Sequence, residues 1–226
     1  AAESLALLRK EGVVLAITPE GGEPLLLALD TWGSLLEKLR ARLADYHREH
    51  PLRRGAPRGE VRRALGTFLP QIELPARVVN ALLAQAEAAG TVAGDDQLVW
   101  LAGFAPTPTP DQQRAIDILL ARFAAAPYTP PNLQDSMQVL GDNASLLAYL
   151  QEQGVLLRLA GDVLFRVVDF DGMVEAIRTR LEEQGAITLA EVRDLFGASR
   201  KYAQAVLEEM DARRITRREG EGRVLR

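Results

Sequence analysis

ITLAEVRDLFGASRKYAQAVLEEMDARRITRREGEGRVLR, residues 187 to 226, is the stretch that decides the fold. Thr188 opens a short apolar-periodic run, Val192, Leu195 and Phe196, which stops at Gly197. Ser199 then caps a second helix whose buried stripe is Ala203, Val206, Leu207 and Met210. A helix, a tight glycine-containing turn and a second helix make a helix-turn-helix. The remaining residues form two arms around Glu219-Gly220-Glu221-Gly222, the pattern of a β-hairpin, so the stretch reads as a winged helix.

The placement of the cations points to a ligand. Arg200 and Lys201 occupy the first turn of the second helix, where the positive end of the macrodipole disfavours them. Free backbone N–H groups joined by two cations form a site for phosphate oxygens. Arg213, Arg214, Arg217, Arg218, Arg223 and Arg226 supply a second basic surface on the wing. A solvated charged face would account for a lone Arg-Lys pair. Basic residues on both reading elements of one motif favour nucleic-acid binding instead.

The bulk properties make any such surface local. The 226 residues are 47% hydrophobic and 26% charged, with a net charge of −4, as in an ordinary globular chain. The acidic remainder argues against indiscriminate coating of DNA or RNA. With no cysteine, disulfides, thiolate metal sites and cysteine nucleophiles are excluded, and a cytoplasmic setting is expected. The opening AAESLALLRKEG is too charged for a signal peptide, and no segment approaches the ~20 apolar residues of a membrane span.

A helix end, a turn and an apolar hairpin recur four times: LALLRKEGVVLAITPEGGEPLLLAL, LLAQAEAAGTVAGDDQLVWLAG, LLAYLQEQGVLLRLAGDVLFRV and VLEEMDARRITRREGEGRVLR. Gly12, Gly90 and Gly154 fall where each helix should end in the left-handed conformation, and Arg214 takes that place in the last copy. The expected fold is mainly α with small β wings (α+β), as tandem winged-helix (helix-turn-helix) domains in an elongated array of separate small units. Residues 1–30 would be the C-terminal part of a truncated first winged helix, with a helix at Glu3 to Lys10 and a hairpin turning at Pro19-Glu20-Gly21-Gly22. The second would span 31–103, the third 104–168 and the fourth, nucleic-acid-binding unit 169–226.

In the second unit a long helix is expected from about Trp32, with Leu35, Leu36, Leu39, Leu43 and Tyr46 on one stripe and Pro51 as its stop. A short helix at Val61 to Leu65 and a third from Pro75 to Ala89 should come next. His47 and His50 could face one metal by spacing, but no third ligand is indicated, so a packed or surface imidazole pair is the reading. In the third unit Asp111 should cap a helix bearing Ile116, Leu119, Leu120 and Phe123. Its hairpin has few cations, with Arg158 and Arg166 as minor phosphate contacts, so that unit reads as scaffold.

Catalytic motifs are absent. The sequence has no G-x-x-x-x-G-K-[ST] loop, no G-x-G-x-x-G after a strand, no H-E-x-x-H and no G-x-S-x-G elbow. Asp95-Asp96 and Glu182-Glu183 fall in a hairpin turn and on an exposed helix face, where nothing would desolvate them to shift a pKa. No catalytic function is expected of these residues.

Three stretches carry a family resemblance: HPLRRGAPRGEVR, TPDQQRAIDILLARFAAAPYTPPNLQD and VRDLFGASRKYAQAVLEEMDARRITRREGEGRVLR. They resemble the C-terminal extension of the SelB family, bacterial selenocysteine-specific translation elongation factors; S-R-K-Y after an R-D-x-x-G turn is the most specific part. The resemblance implies four tandem winged helices, the last binding the SECIS hairpin of selenoprotein messenger RNA. It further implies a monomer that works at the ribosome with no membrane contact. GTP, Mg and selenocysteyl-tRNA would be bound by upstream domains, leaving no cofactor or metal here. By motif the RNA contacts would be Ser199, Arg200, Lys201 and Tyr202 on the helix and Arg217, Arg218 and Arg223 on the wing. Tyr202 borders the buried stripe, so stacking on an extruded base and packing in the core both stay open.

Two rivals belong to other classes. A tandem winged-helix interaction scaffold, as in chromosome-condensing complexes, accounts for the acidic balance but not for the cations on the last unit. A DNA-binding regulator would carry basic reading helices in more than one unit and a symmetric dimer.

Overall fold

The computed structural model describes residues 13–226, in two compact units that divide between Thr107 and Pro108. The expected helix at Glu3 to Lys10 and its end at Gly12 lie outside the described residues.

The first unit begins with an antiparallel hairpin, β1 (Val14–Ile17) and β2 (Leu25–Ala28), paired from Val14 with Ala28 to Ile17 with Leu25. Its turn closes where the Gly22 N–H donates to the Pro19 carbonyl at 3.1 Å. Helix α1 (Leu29–Glu49) starts directly at the end of β2, three residues before the expected Trp32. Its stripe of Trp32, Leu35, Leu39, Leu43 and Tyr46 is buried at helical spacing, with Leu36 at the margin. After β3 (Ala56–Pro57) come α2 (Arg58–Phe68), which extends three residues beyond each end of the expected Val61 to Leu65, and α3 (Ala76–Ala88) behind Pro75. Strands β4 (Val92–Gly94) and β5 (Leu98–Leu101) close the wing, and β3 pairs with β5 to give the order β3-β5-β4. Gly55 permits that pairing, since a β-carbon there would lie 2.6 Å from the Val99 carbonyl oxygen.

The second unit repeats the plan, with side-chain caps on most of its helices. Helix α4 (Pro110–Ala125) is capped by Thr109, not by Asp111. The Thr109 hydroxyl accepts from the Gln112 N–H while the Gln112 side chain accepts from the Thr109 N–H, a reciprocal capping box. Asn132 caps α5 (Leu133–Val139) and Asn143 caps α6 (Ala144–Glu152). A hairpin of β6 (Leu156–Leu159) and β7 (Val163–Arg166) turns through a single 3-10 turn at Ala160–Asp162. Helix α7 (Val167–Gln184) continues from β7 without a loop, as α1 does from β2, and buries Phe170, Met173, Ile177 and Leu181. Strand β8 (Ile187–Thr188), α8 (Leu189–Phe196), α9 (Arg200–Ala212), β9 (Thr216–Glu219) and β10 (Gly222–Leu225) complete the last winged helix. Its sheet order is β8-β10-β9.

Neighbouring winged helices share cores. Ile17 and Leu27 of the first hairpin are buried in one cluster with α1, α2 and α3. Leu159, Val163 and Phe165 of the third unit's hairpin are buried in one cluster with α7, α8 and α9. Each fully buried side chain of this kind stabilises by about 1.5–3 kcal/mol. Within each pair a hairpin supplies apolar side chains to the core of the next winged helix along the chain.

Candidate nucleic-acid interface

The stripe expected for α9 is in place, with Ala203, Val206, Leu207 and Met210 fully buried. Of the run on α8, Val192 is buried and Phe196 is half-buried, but Leu195 is 44% exposed and does not belong to the core. Thr188 caps α8 in a second capping box, its hydroxyl accepting from the Glu191 N–H. Hydrogen bonds from the Thr188 hydroxyl and N–H to the Glu191 carboxylate hold it below the usual carboxylate range. Gly197 ends α8 at φ +59°, in the left-handed conformation.

The start of α9 differs from these. Ser199 holds the N-cap position with extended dihedrals, yet its hydroxyl accepts from no backbone N–H. Arg200 and Lys201 are exposed, and among the described residues neither forms an ion pair. The helix start thus presents unbonded N–H groups and two uncompensated positive charges. Arg200, Gln204 and Glu208 of α9 form one wall of an open groove whose others are Thr188 to Ala190 with Arg193, and Arg218 and Glu221 on the wing. A second groove lies between α9 and the 3-10 turn of the third unit, where a β-carbon on Gly161 would come within 3.9 Å of the Lys201 Cε.

Two of the residues expected as contacts have side-chain partners within the fold. Tyr202 is half-buried, donates its hydroxyl to the Pro130 carbonyl at 2.6 Å and stands edge-on to Phe165 with ring centroids 5.9 Å apart. Both its hydroxyl and one edge of its ring are thus engaged within the fold. Arg223 is buried, with Nε donating to Asp211 Oδ2 at 3.2 Å, while Asp211 Oδ1 accepts from the Thr216 hydroxyl at 2.6 Å. This triad joins both wing strands to the end of α9, so Arg223 positions the wing. Desolvation makes such a pair a better lock than a source of net stability.

The remaining wing cations divide the same way. Arg213 donates to Glu209 at 2.8 Å and lies over the Phe170 ring, 4.7 Å from its centroid. Arg217 meets Glu219 at 3.3 Å with both side chains well exposed, a pair worth little and easily exchanged for phosphate. Arg218 is exposed and donates to the Gly220 carbonyl. The minor contacts expected in the third unit are both paired: Arg166 forks onto Asp169 at 2.6 and 2.7 Å, and Arg158 reaches Asp162 at 2.5 Å. Arg193 is the groove residue that sequence reasoning did not single out, although it stands in the R-D-x-x-G turn. Its position four before Gly197 on the exposed side of α8 was the available signal.

His47 is a structural residue. It is buried, its Nε2 accepts from the Leu101 N–H at 3.2 Å, and its ring stacks on Phe104 at 3.5 Å. His50 lies against the Tyr46 ring.

Two family models match the winged helices that carry these features. Both bear the description "Elongation factor SelB, winged helix", one over residues 40–101 and the other over residues 179–225. Two winged helices of this chain are therefore of the SelB type. The matched parts are the winged helices built on α1 to β5 and on α7 to β10. A curated relative, the selenocysteine-specific elongation factor of Desulfomicrobium baculatum, is 26% identical over 188 residues. That match covers 81% of this chain but 29% of the relative, so the chain spans under a third of the SelB protein it matches. A crystal structure of a bacterial selenocysteine-specific elongation factor is 13% identical, with TM-score 0.50 over 93% of this chain and 32% of that one. The mRNA-binding domain of elongation factor SelB from E. coli in complex with SECIS RNA is 24% identical, with TM-score 0.43 over 53% of this chain and 99% of that one. No helix among the described residues is long and apolar enough to cross a membrane.

Proposed function

We propose that this region binds the SECIS hairpin of selenoprotein messenger RNA through its last winged helix. The binding tethers a selenocysteine-specific elongation factor beside the ribosome for selenocysteine incorporation at UGA, in the cytoplasm. The region itself is non-catalytic on this reading; GTP, Mg and selenocysteyl-tRNA belong to other domains of such a factor.

The observation that carries the reading is the start of α9: Arg200 and Lys201 exposed, with no ion pair among the described residues, beside backbone N–H groups that the Ser199 side chain leaves unbonded. Loop phosphates of a hairpin fit there, because an A-form stem hides its base edges in a deep, narrow groove and leaves backbone and splayed loop bases to be read. Arg193 across the groove and Arg217 and Arg218 on the wing then take phosphates on either side. Tyr202 and Arg223 act through their neighbours, holding helix and wing in position. The two SelB winged-helix matches and the name of the curated relative support the same role.

Competition between a SECIS hairpin and duplex DNA of equal length, at one salt concentration, tests it. Preferential retention of the hairpin is expected. Equal competition would favour a DNA-binding regulator, and failure of both to bind would favour a protein-interaction scaffold.

A further inference from the structure

We infer that the second winged helix carries a separate surface for the phosphate backbone of duplex RNA, built on the arginines between Arg53 and Arg63. The inference rests on the reading that this chain works beside RNA, but on none of the residues of the hairpin site. Residues 51–63 hold five arginines, no lysine and one acid, Glu60, in a chain whose net charge is −4. Such a local excess needs a physical account.

Two of the five arginines, Arg54 and Arg58, are held in place by partners in the fold, and one acid, Asp95, serves both. The Arg54 guanidinium lies over the Trp100 ring, 4.0 Å from its centroid, and 3.3 Å from Asp95. Asp95 is itself fixed by accepting the Gln97 and Leu98 N–H groups, which hold its carboxyl below the ordinary range. Arg58 donates to the Asp95 carbonyl and to Asn80 Oδ1, both at 2.8 Å, so its hydrogen bonds go to neutral acceptors while the Asp95 carboxylate is shared with Arg54. Arg62 stands one turn further along the same face of α2, and with Arg63 lines an open groove beside Ile72 and Leu74. Among the described residues Arg53, Arg62 and Arg63 form no ion pair, and Glu60 is engaged by Arg42 at 3.9 Å.

Side chains ordered in advance lose less freedom on binding. A planar guanidinium also matches phosphate oxygens bidentately. Trp100, beneath Arg54, is not free to stack on a splayed base, so the surface suits a backbone rather than single-stranded bases. An A-form duplex offers that backbone in continuous rows.

The test uses the whole 226-residue chain. The probe is a loop-free RNA duplex of about 16 base pairs in about 50 mM salt, titrated against the unaltered protein and two double variants. Arg62→Glu/Arg63→Glu should weaken duplex binding at least about tenfold and lower the salt slope by nearly two, since each phosphate contact contributes about 0.9. Arg62→Gln/Arg63→Gln should do so to a smaller degree, and unchanged melting of both would show that the fold is kept. Arg200→Ala/Lys201→Ala should leave duplex affinity within about twofold. Duplex binding unaffected by the Arg62 and Arg63 changes, or abolished by the Arg200 and Lys201 changes, overturns the inference. So does a poly-glutamate chain that binds the unaltered protein more tightly than the duplex, which would assign the surface to an acidic protein. A SECIS hairpin titrated against Arg200→Ala/Lys201→Ala tests the hairpin site by itself, so failure there is distinguishable from failure here.

Discussion

The phenol of Tyr202 donates a 2.6 Å hydrogen bond to the main-chain carbonyl of Pro130, bolting the first turn of α9 to the corner between α4 and α5. Burial, aided by the negative charge of Asp135, pushes the phenol pKa up and keeps it a donor. The third winged helix therefore sets where the reading helix stands, through this bond, through Phe165 and through the turn at Gly161. Tyr202→Phe should destabilise the second unit by about 1 kcal/mol, the net worth of one hydrogen bond, seen as a melting point lower by a few degrees. Hairpin affinity should stay within about twofold, because the ring still packs. An affinity loss of about tenfold or more with an unaltered Tm would return Tyr202 to the RNA-contacting set.

How much of this was legible in the sequence depends on the range of the interaction. The buried stripe of α9, the turn at Gly197 and the hairpin turn at Pro19 to Gly22 are local patterns, and the residues that form them lie within a few positions. The two-residue strands β3 and β8 were missed because each pairs with a distant β5 or β10 and is too short to show alternation. The cap of α4 was misplaced onto Asp111 because Pro110 can occupy the first helical position, which moves the cap back to Thr109. Charge was legible as a list and not as a surface. Arg200 and Arg223 look alike in the sequence, but Arg223 meets Asp211 across the end of α9, whereas Arg200 is exposed and forms no ion pair among the described residues. Sharing of a core between successive winged helices depends on the loop-free joins at Ala28–Leu29 and Arg166–Val167, which periodicity alone does not reveal.

Arg214 occupies the left-handed conformation, φ +60°, where the equivalent helix ends carry Gly90 at +67° and Gly154 at +66°. The hydrogen bonds are the same in all three: the N–H of the next residue, Thr91, Val155 or Ile215, reaches back five positions to Ala86, Leu150 or Met210. The side chain at Arg214 thus carries a strain of about 1–2 kcal/mol that glycine would not. Arg214→Gly should raise stability, but by less than that figure, since glycine also gains about 0.4–1 kcal/mol of freedom in the unfolded chain. Arg214→Val should lower it by about 1 kcal/mol or more, because a β-branched side chain tolerates this region poorly. Denaturant midpoints of the three proteins decide the order, and a valine variant as stable as the parent would sink the argument.

His47 makes the first unit sensitive to acid. Burial lowers its pKa, its Nε2 accepts from the Leu101 N–H, and its face is covered by Phe104. The protonated ring has two donors and no acceptor, so it would lose the Leu101 bond. A depressed folded pKa means that the unfolded chain takes up the proton first. The contribution is whole above the unfolded value of about 6.5 and is lost as pH falls from there through the folded pKa. Thermal melts at about pH 7.5 and 5.5 should show a drop in the parent and a smaller one in His47→Gln, whose amide oxygen can still accept. Identical drops in both proteins would remove His47 as the cause.

Arg200 is the most exacting test of the hairpin site, because its charge has no structural use that the fold displays. It stands in the first turn of α9, exposed and with no ion pair among the described residues, where the helix dipole disfavours a cation. Truncation should therefore leave stability within about 0.5 kcal/mol, or raise it slightly. Arg200→Ala should weaken SECIS hairpin binding by about 1–3 kcal/mol, and Lys201→Ala should lower the salt slope by about one phosphate contact. Calorimetric titration across a salt series, paired with melting of the free proteins, separates the two effects. If Arg200→Ala binds the hairpin as the parent does at moderate salt, the phosphates are not held at this helix start, and the groove between α8, α9 and the wing needs another occupant.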